Sequence, residues 1–258
     1  MASTRRPIAG MNPKGQAIRA IPGILSLLLA SIYWQACSKK PEAIEELKPD
    51  AVFDEQARSK QFSVIAGGTQ PMIDDLEDGD LNGLKLEGRN WSWSQFDDAT
   101  DGTQFLTIVQ LSDAPGNGDN VLYVRGGDWT KTGGGLNASL TYNTAPRSLG
   151  VYDGSTYTGI QFWVKVVGLT QLKIKVGIPE TTSLDDGGIC VENCPDHFSN
   201  TVPVNDSWIQ VQIPFESFNL SIGKHSLPLD PARIKSIHFS FETHGDYEVW
   251  VDDFSFYH

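Results

Sequence analysis

From about residue 71 onward, apolar and polar positions alternate with a period of two over short segments. Eight segments rich in β-branched and aromatic residues show the pattern, each bounded by Gly, Pro, Asn or Asp: LTIVQL, NVLYVRG, LNASLTYN, GIQFWVKVV, QLKIKVGI, WIQVQIPF, IKSIHFSFE and YEVWVDDFSFY. WSWSQF is a plausible ninth strand. Such alternation is typical of half-buried strands. The pattern predicts an all-β chain that folds as a two-sheet antiparallel β-sandwich of the jelly-roll kind.

The alternation also predicts which side chains point to the core, because successive residues of a strand face opposite sides. The predicted inward positions are Ile160, Phe162, Val164, Val166, Leu172, Ile174, Val176, Ile178, Ile237, Phe239, Phe241, Tyr247, Val249 and Val251. The predicted outward positions are Gln161, Trp163, Lys165, Lys173, Lys175, His238, Ser240, Glu242, Glu248 and Trp250. Several strands therefore combine a continuous core face with a polar face that carries isolated aromatic residues.

Residues 1–37 have the plan of an export signal. A basic stretch without acids is followed by IPGILSLLLASIYWQAC, an apolar-dominated run that ends at Ala36 and Cys37. Translation starts at Met1 or Met11, since MNPKGQAIRA alone would make a normal basic region.

Cys37, directly after Ala36, resembles the lipidated cysteine of a bacterial lipoprotein, although Trp34 and Gln35 depart from that motif. A plain secretory signal and a single membrane anchor remain alternatives, the apolar run being short for a span of about 20 residues. The segment predicts a protein of the cell envelope, lipid-anchored at the outer membrane or cell surface, or else secreted.

Residues 38–70 have the composition of a charged tether that spaces a domain of residues 71–258 from a membrane. The whole chain carries a formal charge of −12, and the first 37 residues contribute four positive charges and no negative one, so the remainder carries −16. Such an acidic domain argues against nucleic acid as a partner, because phosphate binding needs clustered Lys and Arg. Cys190 and Cys194 are predicted to form a disulfide in an oxidising compartment.

The acidic stretch DDLEDGDLNG, residues 74–83, begins like a calcium-binding EF-hand loop. Asp78, Asp80, Asn82 and Gly83 match its first half, but the twelfth position, where a bidentate Glu is needed, is Arg89. No helical pattern flanks the stretch. The EF-hand interpretation therefore fails.

Four motifs carry a family resemblance: MIDDLEDGD, YDGSTYTGIQFWVKV, CVENCPDHFSNTVPVNDSWIQVQIPF and VWVDDFSFY, in that order. Together they resemble the galactose-binding-like β-jelly-roll domains grouped with family 11 carbohydrate-binding modules, over roughly residues 71–258. The resemblance implies a sandwich whose first and last strands meet, with a structural Ca²⁺ between them. The matching positions are Glu77, Asp252 and Asp253, whose oxygens suit a hard cation; solvation at a strand edge is the alternative.

Sugar binding by a sandwich needs flat aromatic faces and polar planar side chains. The sequence predicts a carbohydrate site on one polar face, with the candidates Trp91, Trp93, Gln161, Trp163, His197, His238, Glu242 and Trp250. Each Trp could instead pack in the core, and His197 in CPDHF could instead cap its loop by hydrogen bonding. Trp129 and Trp208 are interpreted as structural.

No hydrolase, P-loop or dinucleotide-binding motif occurs, which favours a protein without catalytic activity. The sequence therefore predicts an exported, lipid-anchored domain that binds a polysaccharide or other glycan. A structural or protein-interaction lipoprotein with the same fold is the first alternative, and it would be favoured if all four candidate Trp residues were buried. A glycoside hydrolase is the weaker alternative, and it would need two carboxylates facing each other across a cleft.

Overall fold

The computed structural model describes residues 64–116, 118–140, 150–191, 194, 196–222 and 225–258, and only the backbone of residues 221, 222 and 225–227. All of these belong to one compact unit, Leu47–His258. The predicted signal, Cys37 and most of the predicted tether lie outside the described residues. Within the described part of the chain, no helix is long and apolar enough to cross a membrane.

The described chain is built from short strands and single 3₁₀ turns. The strands are β1 (Val64–Ile65), β2 (Met72–Asp74), β3 (Ser92–Phe96), β4 (Thr103–Gln110), β5 (Asn120–Gly127), β6 (Gly134–Ser139), β7 (Val151–Tyr152), β8 (Gly159–Val167), β9 (Gln171–Gly177), β10 (Phe198–Pro203), β11 (Ile209–Pro214), β12 (Asn219–Ile222), β13 (His225–Pro228), β14 (Ser236–Phe241) and β15 (Tyr247–Tyr257). The 3₁₀ turns are η1 (Pro179–Thr181), η2 (Phe215–Ser217) and η3 (Pro231–Arg233).

The strands form two large antiparallel sheets. The seven-stranded sheet has the order β13-β12-β10-β9-β14-β6-β3. The six-stranded sheet has the order β11-β8-β15-β5-β4, and β2 adds to it by pairing with β15. The fold-class prediction is confirmed: the described chain is an all-β sandwich.

All nine predicted strands are present, and β8 and β15 have the predicted bounds. The alternation did not reveal β10, because FSNTVP is mostly polar and ends in Pro. It also did not reveal the short strands β1, β2 and β7, whose two or three residues are too few to show a period. Short strands depend on their partners in the sheet more than on their own sequence.

The core lies between the inner faces of the two sheets. Every predicted inward residue is buried, with at most 4 % of its surface exposed. Phe162 of β8 packs edge-to-face on Phe239 of β14, with ring centroids 5.0 Å apart, and Phe254 of β15 packs on both. These contacts join the sheets, so their outer faces point in opposite directions.

The last part of the predicted tether belongs to the sandwich instead. β1 pairs in parallel with β7, and the Glu87 carboxylate accepts hydrogen bonds from the backbone N–H groups of Thr69 and Gln70. Arg89 is buried and donates to Tyr152 and to the carbonyl oxygens of residues 70 and 72. Arg89 therefore fixes the backbone of residues 70–72 to Tyr152, and its side chain is not a metal ligand.

Candidate functional site

Trp91 and Trp93 are core residues, and their prediction as carbohydrate platforms is wrong. Only 2 % and 3 % of their surfaces are exposed, and their rings pack on each other with centroids 5.3 Å apart. Trp93 Nε1 donates to the buried carboxyl group of Asp74 at 2.8 Å. Gly83 lies so close to the Trp91 indole that a Cβ there would overlap it. The two Trp side chains do share a face, but that face is the inner one.

The other six candidates do not share one face, so that part of the prediction is also wrong. Three belong to the outer face of the six-stranded sheet: Gln161, Trp163 and Trp250. Three belong to the seven-stranded sheet or to segments next to it: His197, His238 and Glu242. Strand alternation distinguishes inward from outward positions, but it does not tell which sheet a strand joins.

The outer face of the seven-stranded sheet carries a set of residues that we call the histidine face. Cross-strand register aligns one row as Ser199, Lys175, His238, Asn137 and Ser94, and the next as Thr201, Lys173, Ser240, Gly135 and Phe96. His197, which directly precedes β10, lies against the first row. Directly opposed residues in neighbouring strands have their side chains on the same side of the sheet.

His197 and His238 stack on this face with ring centroids 4.6 Å apart. His197 Nδ1 lies 2.8 Å from Thr181 Oγ1, and His238 Nε2 lies 2.8 Å from Ser236 Oγ. Burial of the imidazoles lowers the pKa of His197 to about 4 and that of His238 to about 3, and for His238 the His197 and Lys175 charges lower it further. Both rings are therefore neutral at physiological pH and present flat, uncharged surfaces.

Phe96 extends the row of rings. It contacts His238 edge-to-face at 5.8 Å, and its ring lies over Gly135, where a Cβ would come within 2.2 Å of Cζ. Next to these rings, Asn137 Oδ1 and Ser240 Oγ are buried and have no hydrogen-bond partner among the described residues. Buried polar atoms are almost always satisfied in folded proteins, so these two unsatisfied oxygens, one on β6 and one on the neighbouring β14, indicate places where a water or a ligand hydroxyl binds.

Two ion pairs border the rings. Lys173 Nζ binds both carboxylate oxygens of Glu242 at 2.6 and 2.7 Å, and Lys175 Nζ binds both of Asp196 at 3.1 and 3.2 Å. Burial alone would raise the pKa of Asp196, but the hydrogen bond and charge of Lys175 hold it below its usual value. The lysines are thus compensated, and the face presents paired donors and acceptors without net positive charge.

The predicted disulfide between Cys190 and Cys194 is present, with Cα atoms 5.6 Å apart. It closes the loop that leads directly to Asp196 and His197. The preceding segment is held by backbone hydrogen bonds of Cys190 and Leu184, and by η1, which carries Thr181. His197 therefore reaches the outer face of the sheet from a segment that precedes β10. Its hydrogen bond with Thr181 is of the kind that the alternative role, capping by hydrogen bonding, predicts.

The two Trp residues on the outer face of the six-stranded sheet have different surroundings. Trp250 is covered on both ring faces: Tyr123 of β5 stacks on it at 5.2 Å, and Lys165 of β8, on the other side of β15, has Nζ 5.5 Å from the ring centroid. Trp163 is half-buried, and within the described chain no other ring or cation stacks on it. Trp250 is therefore a packing residue of this surface, whereas Trp163 keeps its ring available.

The acids predicted to bind calcium lie around one loop. Gly116 N–H donates to Asp252 at 3.2 Å, Asn120 N–H donates to Glu77 at 3.1 Å, and a Cβ at Gly116 would come within 2.8 Å of Asp253. Burial and the Asp253 charge raise the pKa of Asp252 to about 6. The acids are neighbours, but among the described residues no three His, Cys, Asp or Glu side chains form a group that could hold a metal ion.

The acid pair lies where the last strand is irregular. β15 pairs with β5 up to Val251 and with β2 from Phe254, and a bulge separates the two segments. Asp253 has a φ of 47°, the left-handed conformation that Asp tolerates better than most residues. The last strand, β15, therefore meets β2, whereas the first strand, β1, pairs with β7, and the bulge is where the two acids lie.

The sequence interpretation missed Phe96 and Asn137 as site residues, whereas it named the outward Ser240 as a residue that could hydrogen-bond beside the aromatic rings. The sequence did indicate that Phe96 points outward. In WSWSQF it lies on the same side of the strand as Ser92 and Ser94, opposite to the two Trp residues. Asn137 and Ser240 gave no comparable signal, since polar residues on outward positions are ordinary. Only the absence of hydrogen-bond partners distinguishes them.

No protein-family model matches this sequence, and no curated protein has a significant match. Among solved structures, the chain is similar to the family 11 carbohydrate-binding module of the cellulosomal cellulase Lic26A-Cel5E of Clostridium thermocellum, with 21 % identity, 74 % of this chain and 95 % of that one covered, and a TM-score of 0.48. It is similar to the family 11 module of the same organism in complex with a β-1,3-1,4-mixed-linked tetrasaccharide, with 21 % identity, coverage of 73 % and 95 %, and a TM-score of 0.46. It is also similar to the family 30 module of the cellulosomal cellulase Cel9D-Cel44B of Clostridium thermocellum, with 16 % identity, coverage of 64 % and 90 %, and a TM-score of 0.42. All three solved structures are carbohydrate-binding modules, and each is less than 25 % identical in sequence to this chain.

Proposed function

We propose that this domain binds a neutral glycan, without catalysing a reaction, through the histidine face of the seven-stranded sheet. The observation that carries the proposal is the pair of buried, unpartnered oxygens, Asn137 Oδ1 and Ser240 Oγ, next to the rings of Phe96 and His238. Two sugar hydroxyls, one donating to each oxygen, would satisfy both.

The remainder of the face has the chemistry that a pyranose requires. The rings of Phe96, His238 and His197 can contact the apolar sides of sugar rings, and neutral imidazoles do so without the cost of burying a charge. The pairs Lys173–Glu242 and Lys175–Asp196 supply fixed donors and acceptors for further hydroxyls. Because each cation already has its carboxylate, the face favours an uncharged glycan over an acidic one.

Ser240→Ala tests the proposal with little risk to the fold, since it removes a buried hydroxyl that has no partner within the described structure. The purified full chain is titrated with tetrasaccharides of β-1,4-glucose, β-1,3-1,4-glucose, β-1,4-mannose and β-1,4-galactose in a calorimeter. Ser240→Ala should weaken binding about fivefold, as expected for one hydrogen bond of about 1 kcal/mol. Its unfolding free energy should stay equal or rise.

The same titration of Phe96→Ala, with Phe105→Ala as its matched control, tests the aromatic part of the site. Phe105 is 53 % exposed and lies on the other sheet, so the same truncation there should leave binding unchanged. Equal losses for the two variants would contradict the assignment of the site. Absence of binding to every tetrasaccharide, in a protein that melts cooperatively, would contradict the carbohydrate proposal itself.

The burial of two of the four candidate Trp residues, and the partial exposure of the other two, bear on the alternative of a protein-interaction domain. That alternative required all four candidate Trp residues to be buried, whereas Trp163 and Trp250 are partly exposed. Two unpartnered oxygens at the histidine face also suit hydroxyl groups better than an apolar protein surface.

Export and lipid anchoring belong to the same proposal and rest on residues 1–37, with Cys37 as the lipidated residue. A polysaccharide binder held at the outer membrane or cell surface would retain its ligand near the cell. Expression with radiolabelled palmitate in a bacterial host should label the wild type and not Cys37→Ser. Secretion of an unlabelled wild-type protein into the medium would contradict the anchor and leave export intact.

Calcium is proposed as a structural ion near Glu77, Asp252 and Asp253. The support is electrostatic, because Asp253 and Glu77 both raise the pKa of Asp252, and a cation would relieve this repulsion. Carboxylate oxygens are suitable ligands for Ca²⁺. Its role would be to stabilise the bulge of β15, away from the histidine face.

A further inference from the structure

The outer face of the six-stranded sheet carries a second set of residues, which we call the amide–indole patch: Gln161, Trp163, Gln210 and Gln212. Register places Gln210 directly beside Trp163, and Gln212 directly beside Gln161. β11 is the edge strand of this sheet, so the patch is open on the side of Gln210 and Gln212, which are both exposed. It lies on the opposite side of the sandwich from the histidine face.

The indole of Trp163 is the apolar element of the patch. It points outward from β8 and is only half-buried, and within the described residues no ring or cation covers it. Trp250 on the same face is the contrast, because Tyr123 and Lys165 occupy both of its ring faces. An outward Trp with uncovered faces can stack on the apolar side of a sugar ring.

The glutamines supply oriented polar groups next to that ring. Gln212 Nε2 donates to Gln161 Oε1 at 2.8 Å, and Gln161 Nε2 donates to the buried Ser255 Oγ at 3.1 Å. This chain of hydrogen bonds holds both amide planes before any ligand arrives, which lowers the entropic cost of binding. Each amide has two donors and a carbonyl acceptor, a combination that suits hydroxyl groups.

Most charges around the patch are paired, and the exception lies on the β15 side. Lys165 pairs with Asp113 at 3.4 Å, and Glu248 accepts a hydrogen bond from Tyr123 at 2.7 Å. Asp252, which is followed by Asp253, lies directly beside Trp163 in the register of β8 and β15. Because an acid borders the indole, the patch disfavours an anionic ligand, and its amide groups suit a neutral one.

We propose that the amide–indole patch is a second binding surface for a neutral glycan, so that one domain bridges two glycan chains. The proposal rests on the ligand class of the proposed function, but it concerns different residues on the opposite sheet. A lipid-anchored domain with two such surfaces would cross-link polysaccharide at the cell surface instead of holding a single chain.

The test is the number of tetrasaccharides bound by the full chain, measured by calorimetry with the four tetrasaccharides named above. The wild type should bind two per domain, and Trp163→Ala and Phe96→Ala should each bind one. Phe105→Ala, on the same face as Trp163 but at its far end, is the control and should bind two. Gln212→Ala, which removes the exposed amide, should weaken one of the two sites several-fold. The double variant Trp163→Ala/Phe96→Ala should bind none.

The outcomes separate the two proposals. One tetrasaccharide per wild-type domain, lost with Phe96→Ala and unchanged in Trp163→Ala, overturns the second surface and leaves the proposed function intact. One tetrasaccharide lost only with Trp163→Ala overturns the histidine face as the site and also the bridging model. Concentration-dependent dimerisation in the ultracentrifuge that Trp163→Ala abolishes would assign the patch to a second copy of the chain, and would overturn its assignment to glycan.

Discussion

His197 and His238 stack with ring centroids 4.6 Å apart, although His197 follows a disulfide-closed loop and His238 lies in the middle of β14. Each ring has a hydroxyl partner, Thr181 for His197 and Ser236 for His238. Two stacked imidazoles repel each other if both are protonated, and Lys175 adds a further positive charge. The stack is therefore stable only while the rings are neutral.

This relationship predicts a loss of stability in acid. The folded-state pKa values, about 4 for His197 and about 3 for His238, lie below the ordinary value of 6.5. The unfolded chain thus binds protons first, so the contribution is complete above pH 6.5 and is lost as the pH falls toward 3. Denaturant unfolding of His197→Phe should show a smaller loss between pH 6.5 and 4 than the wild type. Parallel curves for the two proteins would contradict the prediction.

Asp74 predicts the opposite pH dependence between about pH 4 and pH 7. Burial raises its pKa from 3.8 to about 7, although the hydrogen bonds from Trp93 and Leu76 act to lower it. A group whose folded pKa is raised stabilises the fold fully below its unfolded pKa, and this contribution is lost as the pH rises through the folded value. The contribution of Asp74 to the unfolding free energy should therefore decrease from about pH 4 to pH 7 and stay constant above.

Asp74→Asn should remove most of that decrease, at a cost of about 1 kcal/mol for one mismatched hydrogen bond. Asp80→Asn is the matched control, because Asp80 is exposed in the same acidic stretch. Its pH profile should follow that of the wild type. A difference in unfolding free energy between Asp74→Asn and the wild type that stays constant from pH 4 to pH 8 would show that Asp74 does not titrate there.

Trp91→Ala should destabilise the domain strongly, because it leaves a large cavity among Trp93 and Phe254. Truncation of a buried Trp costs about 3–5 kcal/mol, which corresponds to a fall in Tm of about 6–20 °C for a domain of this size. Trp163→Ala, on the surface, should lower Tm much less. Similar melting temperatures for the two variants in a thermal scan would contradict the assignment of Trp91 to the core.

The disulfide should matter for the histidine face more than for the whole fold. Closing so short a loop stabilises by about 2 kcal/mol in the chain-entropy description. The variant Cys190→Ser/Cys194→Ser should lose about that much unfolding free energy, and it should bind tetrasaccharide more weakly because Asp196 and His197 are no longer held on the sheet. Unchanged affinity would show that Lys175 and Thr181 hold the segment without the bridge.

Calcium should raise Tm if the ion stabilises the β15 bulge. Millimolar CaCl₂ should increase the wild-type Tm, EGTA should reverse the increase, and Mg²⁺ should act less because it tolerates irregular coordination poorly. Asp253→Asn should reduce the response. Identical melting curves with calcium and with EGTA would contradict calcium binding, and would leave both glycan proposals untouched, since neither names the metal as part of its site.

Strand identity and core composition were accessible from the sequence because they are local properties. In β8, and in β15 as far as Val251, every second residue is apolar, and burial of Ile160, Phe162, Val249 and Val251 follows from that alternation. The disulfide was also accessible, since the two cysteines are only four residues apart in a chain predicted to be exported. Such features depend on residues within one segment.

The tertiary structure alone decided where the candidate site lies. Alternation gives each side chain a parity, but it does not say which sheet receives the strand. Trp163 and His238 therefore looked like neighbours on one face and lie on opposite sides of the sandwich. Strand pairing is set by contacts between segments far apart in sequence, and the unpartnered oxygens of Asn137 and Ser240 become apparent only when those contacts have formed.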